Sequence, residues 1–458
     1  MASLAGMLRA QGHRVTGSDT SAYPPMSDQL RAMGIATMEP YDKANLDPRP
    51  DLVVVGNAIS RGNPELERVL DERIALTSMA ALIHDEFLAG RERLVVCGTH
   101  GKTTTTSMLA WIYETASGKG NSEWKPSFLI GGVAENFGIS FRVQEGTRPF
   151  ILEGDEYDTA FFDKGPKFLH YFPDAAVLTH VEFDHADIYA DLVAVKTAFK
   201  RMVNLIPGRG RLVAFDGSAN VTECCAKAFC KVERYGFAQD SEWRCVDMQL
   251  GASTSWALLR GGKEFAHLVL PMAGEHNALN ATAAAALAAG QGIPAEAIVE
   301  ALTTFKSVKR RLEVRAEVAG VTVIDDFAHH PTAIRETLRA LRGAYPGRRL
   351  WAVLEPRSNT LRRNVFEQEL VESLALADRV VLAAVFKSEA IPAAERMHPE
   401  RVLAALMARG VPAVLCADAE AIVAECAPRM KPGDVVAILS NGGFGGIYTR
   451  LPDALAGT

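Results

Sequence analysis

Short apolar runs alternate along this chain with stretches in which apolar residues recur every three or four positions. Near the start, β-type runs at 14–17, 51–55 and 74–77 alternate with helical patterns at 26–33 and 64–71. Strands that alternate with helices predict parallel sheets covered by helices. The chain opens in a helix-like stretch at 3–12, so the first strand of such a unit is expected to be missing.

The same alternation continues through two further regions. The second has strands at 94–97, 150–152 and 175–179, a β-rich part from 214 to 270 and an alanine-rich helix at 280–290. The third has strands at 321–325, 350–354, 379–383 and 435–439, with helices at 332–342, 364–376 and 399–409. Because domains average about 150 residues, the 458 residues predict three α/β domains, at 1–89, 90–308 and 309–458.

Composition narrows the expected partners to small molecules. The net charge is −6 and the pI is near 6.0, without the basic excess that nucleic acids or anionic membranes attract. Seven cysteines, without a C-x-x-C pair, fit neither a disulfide framework nor a zinc ribbon. Since neither a signal peptide nor a long apolar segment is evident, we expect a cytoplasmic protein. We also expect a monomer.

A glycine-bracketed loop follows the strand at 94–97 and carries the clearest chemical signal. Its residues are Gly98, Thr99, His100, Gly101, Lys102, Thr103 and Thr104. Glycines let backbone N–H groups converge on phosphate oxygens, the lysine neutralises charge, and a threonine hydroxyl can reach Mg²⁺. Val96 stands where a general P-loop has glycine, so this is a shorter variant. The alternative is a turn that begins a helix, with Lys102 in solvent.

Acidic and histidine residues follow the next two strands. Glu153 ends one strand and is the better candidate ligand for Mg²⁺, whereas Asp155, Glu156 and Asp158 fit a metal site and a solvated turn equally well. After the other strand, the segment from His180 to His185 gathers two carboxylates and two imidazoles. Alone, such residues in a turn are more often surface decoration, but the flanking apolar strand and the phosphate loop favour His185 as a ligand of a second metal ion.

Several polar motifs further along also have two readings. Asn277 and Asn280 share one helical face and fit an adenine or ribose edge, but Asn277 is equally a good helix N-cap. The run 309–311 is either a basic linker or a phosphate clamp. At 325–332, one carboxylate on a ribose and one histidine near the substrate would be a sensible division of roles.

Two later loops, at 355–360 and 440–446, follow strands and are expected to face ligands. Arg357 is the residue there with a clear task, which is to hold a substrate carboxylate. Glycine-rich turns such as the second loop also occur for purely conformational reasons.

Taken together, these motifs resemble those of the Mur ligases, which form amide bonds in peptidoglycan synthesis with ATP. The resemblance covers nearly the whole chain and rests on the motifs Gly98–Thr104, Glu153–Glu156, Glu182–His185, Gly274–Asn280, Arg310–Arg311 and Asp325–Thr332. It implies a Rossmann-like N-terminal domain for UDP, a central P-loop ATPase domain and a Rossmann-like C-terminal domain for the incoming amine. It also implies an acyl phosphate, formed when the substrate carboxylate attacks ATP.

The resemblance assigns roles to individual residues. Gly98–Thr104 would hold ATP, with Lys102 on its phosphates, and Asn277 and Asn280 would face adenine. Arg311 would contact phosphate and Asp326 ribose. Thr103 and Glu153 would bind one Mg²⁺ ion and His185 a second. Lys102, Glu153, His185 and Arg357 are thus the predicted catalytic set. The predicted substrate residues are Ser18, Asp19, Asn57, Ala58, His330, Arg357, Asn359 and Thr360.

Within the family, the sequence of these motifs is most similar to that of ligases that attach a preformed L-alanyl-γ-D-glutamyl-meso-diaminopimelate tripeptide to UDP-N-acetylmuramate in peptidoglycan recycling. The likeness lies in segments 23–27, 56–65, 155–164, 355–360 and 440–446. The alternatives are a ligase that adds L-alanine alone and a P-loop nucleotide-binding protein without ligase activity. The chain departs from relatives at His180, where asparagine is common, and Lys196 is a possible counterpart of a carbamylated lysine.

Overall fold

The chain folds as the α/β protein that its pattern predicts. The computed structural model describes residues 1–22 and 26–457, and Tyr23, Pro24 and Pro25 of the 23–27 segment lie outside the described residues. The chain divides into two compact units. Unit 1 comprises Met1–Glu182, Val193–Arg244 and Thr282–Ala301, and unit 2 comprises Phe183–Leu192, Cys245–Ala281 and Leu302–Thr458.

The first 87 residues contain short strands paired in parallel. The elements are α1 (Ala2–Ala10), β1 (Thr16–Ser18), α2 (Met26–Ala32), β2 (Ala36–Met38), β3 (Val53–Val55), α3 (Pro64–Asp71), β4 (Leu76–Ser78) and α4 (Met79–Phe87). β1 pairs with β2 and β3 with β4. α3 begins where predicted because the Asn63 side chain accepts from the backbone N–H groups of Glu65 and Leu66, and Pro64 occupies the first turn.

Residues 92–303 contain the longest run of strands. The elements are β5 (Glu92–Cys97), α5 (Lys102–Ser117), β6 (Ser127–Ala134), β7 (Ile139–Arg142), β8 (Pro149–Gly154), β9 (Asp158–Ala160), β10 (Asp163–Pro166), β11 (Ala175–Leu178), α6 (Leu192–Asn204), β12 (Arg211–Phe215), α7 (Ala219–Cys225), β13 (Lys231–Gly236), β14 (Trp243–Gln249), β15 (Thr254–Arg260), β16 (Lys263–Leu270), α8 (Glu275–Gly290) and α9 (Ala295–Thr303).

In unit 1, β5 lies between β8 and β11, and all three strands are parallel. Cys97 at the end of β5 is level with Gly154 of β8 and with Leu178 of β11. The loops that follow these strands therefore leave the same edge of the sheet, where ligands of parallel sheets bind. Residues 94–97 are fully buried, which explains their continuous apolar sequence.

Residues 313–456 form a six-stranded sheet in unit 2. The elements are β17 (Glu313–Val318), β18 (Val321–Asp326), α10 (Pro331–Ala344), β19 (Leu350–Leu354), α11 (Glu367–Leu374), β20 (Arg379–Ala383), α12 (Pro399–Ala408), β21 (Ala413–Cys416), α13 (Ala419–Cys426), β22 (Val435–Leu439) and α14 (Ile447–Ala456). The strand order is β17-β18-β22-β19-β20-β21, and only β17 runs antiparallel to its neighbour.

Alternate residues of the central strands of this sheet enter two different apolar cores. Ile324, Ala352 and Ala437 pack on one face, whereas Val323, Val353 and Val436 pack on the other. Leu439 of β22 is level with Asp326 of β18 and Leu354 of β19, so the loops after these strands share an edge. These are the loops in which the sequence placed polar motifs.

Some sequence expectations differ from the structure. The predicted helix at 364–376 is a 3-10 turn at Asn364–Phe366 followed by α11. All seven cysteines are free, as their number and spacing predicted. None of the helices in the described part of the chain has the length and apolarity needed to cross a membrane.

Candidate active site

The loop after β5 has the backbone that a phosphate cradle needs. Gly98 has φ +130° and Gly101 has φ +79°, and α5 begins at the next residue, Lys102. A Cβ atom at Gly98 would lie 2.1 Å from the Thr179 hydroxyl oxygen. Glycine is therefore required at Gly98 both by the backbone conformation and by the close approach of the neighbouring loop. Thr104 is buried within the first turn of α5.

Lys102 folds back over this loop and is not the solvated side chain of the alternative reading. Its ammonium group donates to the carbonyl of Gly98 at 2.8 Å and pairs with the Glu156 carboxylate at 2.7 Å. Burial would lower the pKa of Lys102, but the charges of Glu156 and Asp155 outweigh burial and raise it. Glu156 is 2% exposed, so the reading of this residue as part of a solvated acidic turn is wrong.

The structure brings Thr103 and Glu153 together at the same edge. The Thr103 hydroxyl donates to one Glu153 oxygen at 3.0 Å, and the backbone N–H of Gly131 donates to the other at 2.7 Å. Burial raises the pKa of Glu153 despite the opposing charge of Lys102. A buried hydroxyl and a half-buried carboxylate form the hard oxygen set that suits Mg²⁺, and a divalent cation would offset the cost of partly burying the carboxylate.

His100 and Thr99 connect the loop to the segment that follows β11. A ring nitrogen of His100 lies 2.9 Å from a Glu182 carboxylate oxygen. The Thr99 backbone N–H donates to the carbonyl of His180 at 2.8 Å, and the Thr99 hydroxyl accepts from the Glu182 N–H at 2.9 Å. The two loops therefore hold one another in place.

His185 lies in unit 2 and has a left-handed backbone, with φ +54°. The backbone N–H of His185 donates to the neighbouring Asp184 carboxylate at 2.7 Å. Burial acts to raise the pKa of Asp184, but its interaction with His185 and the hydrogen bond from Thr360 oppose burial, and the pKa is held well below its usual range. A negative charge is thus maintained directly beside the imidazole that the sequence assigned to a metal ion.

Asn277 and Asn280 lie in the first turns of α8 and are 3% and 6% exposed. The Asn277 amide donates to the carbonyl of Ala273 at 2.8 Å. The reading of Asn277 as a helix N-cap is wrong, because α8 begins at Glu275 and Asn277 is its third residue. The predicted adenine contact of both residues stays a prediction.

Asp326, predicted to contact ribose, already accepts three hydrogen bonds. They come from the Leu312 N–H at 2.8 Å, the Ala328 N–H at 2.9 Å and the Thr337 hydroxyl at 3.1 Å. A ribose contact would add to these bonds. Arg311, predicted to contact phosphate, lies over the Phe327 ring at 5.0 Å.

Among the predicted substrate residues of unit 2, Arg357 is the best placed to receive a ligand. Its guanidinium lies 3.9 Å from the centre of the Phe386 ring and 3.5 Å from a Glu355 oxygen, and its side chain is 28% exposed. Asn359 donates to Asp187 at 2.7 Å. Thr360 is only 2% exposed, so its side chain faces the protein interior.

His330 is the N-cap of α10. One ring nitrogen accepts from the Thr332 N–H at 3.3 Å, so the other carries the proton and donates to the carbonyl of Phe183 at 3.2 Å. Both ring nitrogens are therefore used within the protein. The predicted role of His330 near the substrate stays a prediction.

The predicted nucleotide residues of the first 89 positions follow β1 and β3. Ser18 ends β1, and the Asp19 carboxylate accepts from the Ser21 N–H at 3.1 Å. Asn57 and Ala58 are exposed in the turn after β3. All four residues lie at or just beyond the carboxyl ends of parallel strands, which is a favourable place for a ligand.

Sequence reasoning missed a polar network built on Arg310. Its guanidinium pairs with Asp325 and donates to the Ser440 carbonyl at 2.7 Å and to the Tyr448 hydroxyl at 2.6 Å. The Ser440 hydroxyl donates to Glu355 at 2.5 Å. The network thus joins the linker before β17 to both ligand-facing loops. The positions of Asp325, Glu355 and Ser440 at the ends of strands were the available signal.

Comparison with known proteins identifies the family of the chain. Three family models match the chain: the catalytic domain of the Mur ligase family at residues 1–89, the Mur ligase middle domain at 96–288 and the Mur ligase glutamate ligase domain at 310–442.

Full-length relatives carry two kinds of name. UDP-N-acetylmuramate--L-alanyl-gamma-D-glutamyl-meso-2,6-diaminoheptandioate ligase of Escherichia coli is 42% identical over 100% of this chain and 96% of the relative. UDP-N-acetylmuramate--L-alanine ligase of Kineococcus radiotolerans is 35% identical over 99% of this chain and 93% of the relative. The crystal structure of a murein peptide ligase from Psychrobacter arcticus superimposes with a TM-score of 0.74 at 36% identity, covering 100% of this chain and 97% of that one. The chain therefore belongs to the Mur ligase family.

Proposed function

We propose that this chain is an ATP-dependent ligase that joins L-alanyl-γ-D-glutamyl-meso-2,6-diaminoheptandioate to UDP-N-acetylmuramate in peptidoglycan recycling. The observation that carries the proposal is the 42% identity, along the whole chain, to the Escherichia coli ligase of that name. Identity to the L-alanine-adding relative is lower, at 35%. The enzyme would act as a cytoplasmic monomer on small molecules, without a nucleic-acid or membrane partner.

The proposal assigns ATP and Mg²⁺ to the loops described above, and it divides the chain at 1–89, 90–308 and 309–458. Thr103 and Glu153 would hold one ion, and His185 would contribute to a second. When bound, Mg²⁺ supplies charge neutralisation at the transferring phosphoryl group. The carboxylate and hydroxyl of the Glu153 site fit this ion by their chemistry and by the partial burial of the carboxylate.

The proposed reaction has two steps. The carboxylate of UDP-N-acetylmuramate attacks the γ-phosphorus of ATP, which forms an acyl phosphate and releases ADP. The free amine of the peptide then attacks the acyl carbon, and phosphate leaves from the tetrahedral intermediate with the loss of one amine proton. Lys102 would exchange its bond with Glu156 for the phosphate oxygens, and the N–H groups of the loop would orient them.

Arg357 would hold a carboxylate of the incoming peptide. A guanidinium that is stacked on Phe386 loses little freedom when it forms paired hydrogen bonds. No covalent protein nucleophile is required, so catalysis would rest on positioning and electrostatics.

Phosphate release by the purified full-length chain tests the proposal. With ATP, Mg²⁺ and UDP-N-acetylmuramate, we expect rapid release with the tripeptide and slow release with L-alanine alone. The Lys102→Met variant is the matched control and is expected to lose release with either amine. Equal or faster turnover with L-alanine would contradict the proposed substrate, and nucleotide binding without amine-dependent turnover would contradict the ligase activity.

A further inference from the structure

The segment 183–187, which carries His185, is held by the loop that follows β19. The Thr360 hydroxyl donates to the Asp184 carboxylate at 2.6 Å and accepts from the Ala186 N–H at 3.3 Å. Thr360 is 2% exposed and Asp184 is 5% exposed, so water does not compete for these bonds. A hydroxyl that both donates and accepts across two chain segments fixes their relative position.

The same carboxylate oxygen sets the backbone of His185. Asp184 Oδ1 accepts from the His185 N–H at 2.7 Å as well as from Thr360. A left-handed backbone is unfavourable for a residue other than glycine, so the conformation of His185 benefits from such support. Two flanking bonds, from Asn359 to Asp187 and from His330 to the carbonyl of Phe183, lie on either side.

Thr360 also belongs to the loop that carries Arg357. Only two residues separate Arg357, whose partly exposed guanidinium would hold the peptide carboxylate, from Thr360, whose buried hydroxyl holds Asp184. The 355–360 loop is anchored at its start by the bond between Glu355 and Ser440. Thr360 is therefore a direct connection between this loop and the His185 segment.

We propose that Thr360 and Asp184 are positioning residues that couple occupancy of the Arg357 loop to the conformation of His185. This proposal rests on the proposed function, because it takes Arg357 as the peptide contact and His185 as an ion ligand. It gives Thr360 a role different from the direct substrate contact that the sequence suggested. Binding of the peptide would further stabilise the existing conformation of the His185 segment before the amine attacks.

Amide hydrogen exchange of the ligand-free, full-length chain tests the first half of the proposal without any turnover. Thr360→Val keeps the shape of the side chain and removes both hydrogen bonds. We expect exchange of the His185 and Ala186 amides to accelerate about tenfold or more, because a bond to a buried charge is lost. Thr360→Ser keeps the hydroxyl and is expected to restore slow exchange.

Thr322→Val is the matched control, since Thr322 is also 2% exposed and its hydroxyl accepts from Arg348 at 2.9 Å. It should leave exchange at 183–187 unchanged. Unchanged exchange in Thr360→Val, or equal acceleration in the control, would overturn the proposal. If Thr360→Val does not fold, Asp184→Asn replaces it, and a rate at 183–187 equal to the wild-type rate would count against the coupling.

The second half is tested by adding the tripeptide with UDP-N-acetylmuramate and a non-hydrolysable ATP analogue. We expect protection at 183–187 in the wild-type chain and in Thr360→Ser, and its loss in Thr360→Val. Equal protection in all three would refute the coupling while leaving the proposed ligase activity intact. If the wild-type enzyme is inactive but Thr360→Val still accelerates amide exchange at 183–187, only the proposed function would be refuted.

Discussion

The ion pair between Lys102 and Glu156 offers a direct measure of how the phosphate loop is stabilised without nucleotide. The side chains are 13% and 3% exposed, and the charged atoms lie 2.7 Å apart. Replacing Glu156 with glutamine leaves a buried ammonium without its carboxylate. Loss of one partner of a buried pair costs about 3–5 kcal/mol. We expect the lower end, because Lys102 keeps its bond to the Gly98 carbonyl and the nearby charge of Asp155.

Urea unfolding of the ligand-free chain measures this cost, provided that the dependence on urea concentration keeps the same slope. Glu223→Gln is the control, since Glu223 pairs with Lys196 and Lys200 at a site where its side chain is 47% exposed. It should cost only a small fraction of the loss in Glu156→Gln. The double variant Lys102→Met with Glu156→Leu should recover most of the stability. A loss below about 1 kcal/mol in Glu156→Gln, the range of exposed pairs, would refute the buried-pair reasoning.

Three further predictions follow from single residues. Gly98→Ala should lower the free energy of unfolding by about 1–3 kcal/mol and abolish nucleotide binding, because the added Cβ would meet the Thr179 hydroxyl. Calorimetry measures the unfolding of the variant and its binding of an ATP analogue, and binding equal to that of the wild type would contradict the prediction. Glu153→Gln should raise the Mg²⁺ concentration for half-maximal phosphate release by about 10–100-fold, and an unchanged Mg²⁺ requirement would exclude a ligand role. Burial raises the pKa of Asp325 to about 6 despite Arg310. The contribution of Asp325 to stability is therefore greatest below about pH 4 and falls as the pH rises through 6. The difference in the free energy of unfolding between wild type and Asp325→Asn should shift by about 3 kcal/mol between pH 4 and 8, and a difference that does not change with pH would refute this prediction.

Local signals were sufficient where a helix or strand carries its own start and core pattern. Helix α3 matches its predicted bounds because Asn63 and Pro64 mark its beginning. The central strands β18, β19 and β22 were found because both of their faces are buried. By contrast, β21 has only four residues, most of them partly exposed, and α14 contains Pro452, which in a sequence argues against a helix even though Ile447, Leu451 and Leu455 keep a helical spacing.

The site residues likewise divide into those with a local sequence signal and those that only the folded structure brings together. Gly98, Lys102 and Glu153 were identified because the end of a strand and the start of a helix are visible in the sequence. The ion pair of Lys102 with Glu156 was not identified, because the segment 153–158 contains four acidic residues and burial decides which of them pairs with the lysine. The bond between Thr360 and Asp184 spans 176 positions, and only the folded chain brings these residues together.

The loops at both sheet edges share one feature, in which protein donors already satisfy a carboxylate that is buried at Asp184 and half-buried at Glu153. Glu153 accepts from Thr103 and Gly131 in unit 1, and Asp184 accepts from His185 and Thr360 in unit 2. Because an unpaired buried charge is costly, these bonds keep each loop ordered before ligands arrive. A ligand that binds there must replace or extend existing bonds, which favours ions and phosphates that supply equally strong interactions over neutral molecules. Preorganisation of this kind suits a reaction that depends on holding an acyl phosphate in place rather than on a protein nucleophile.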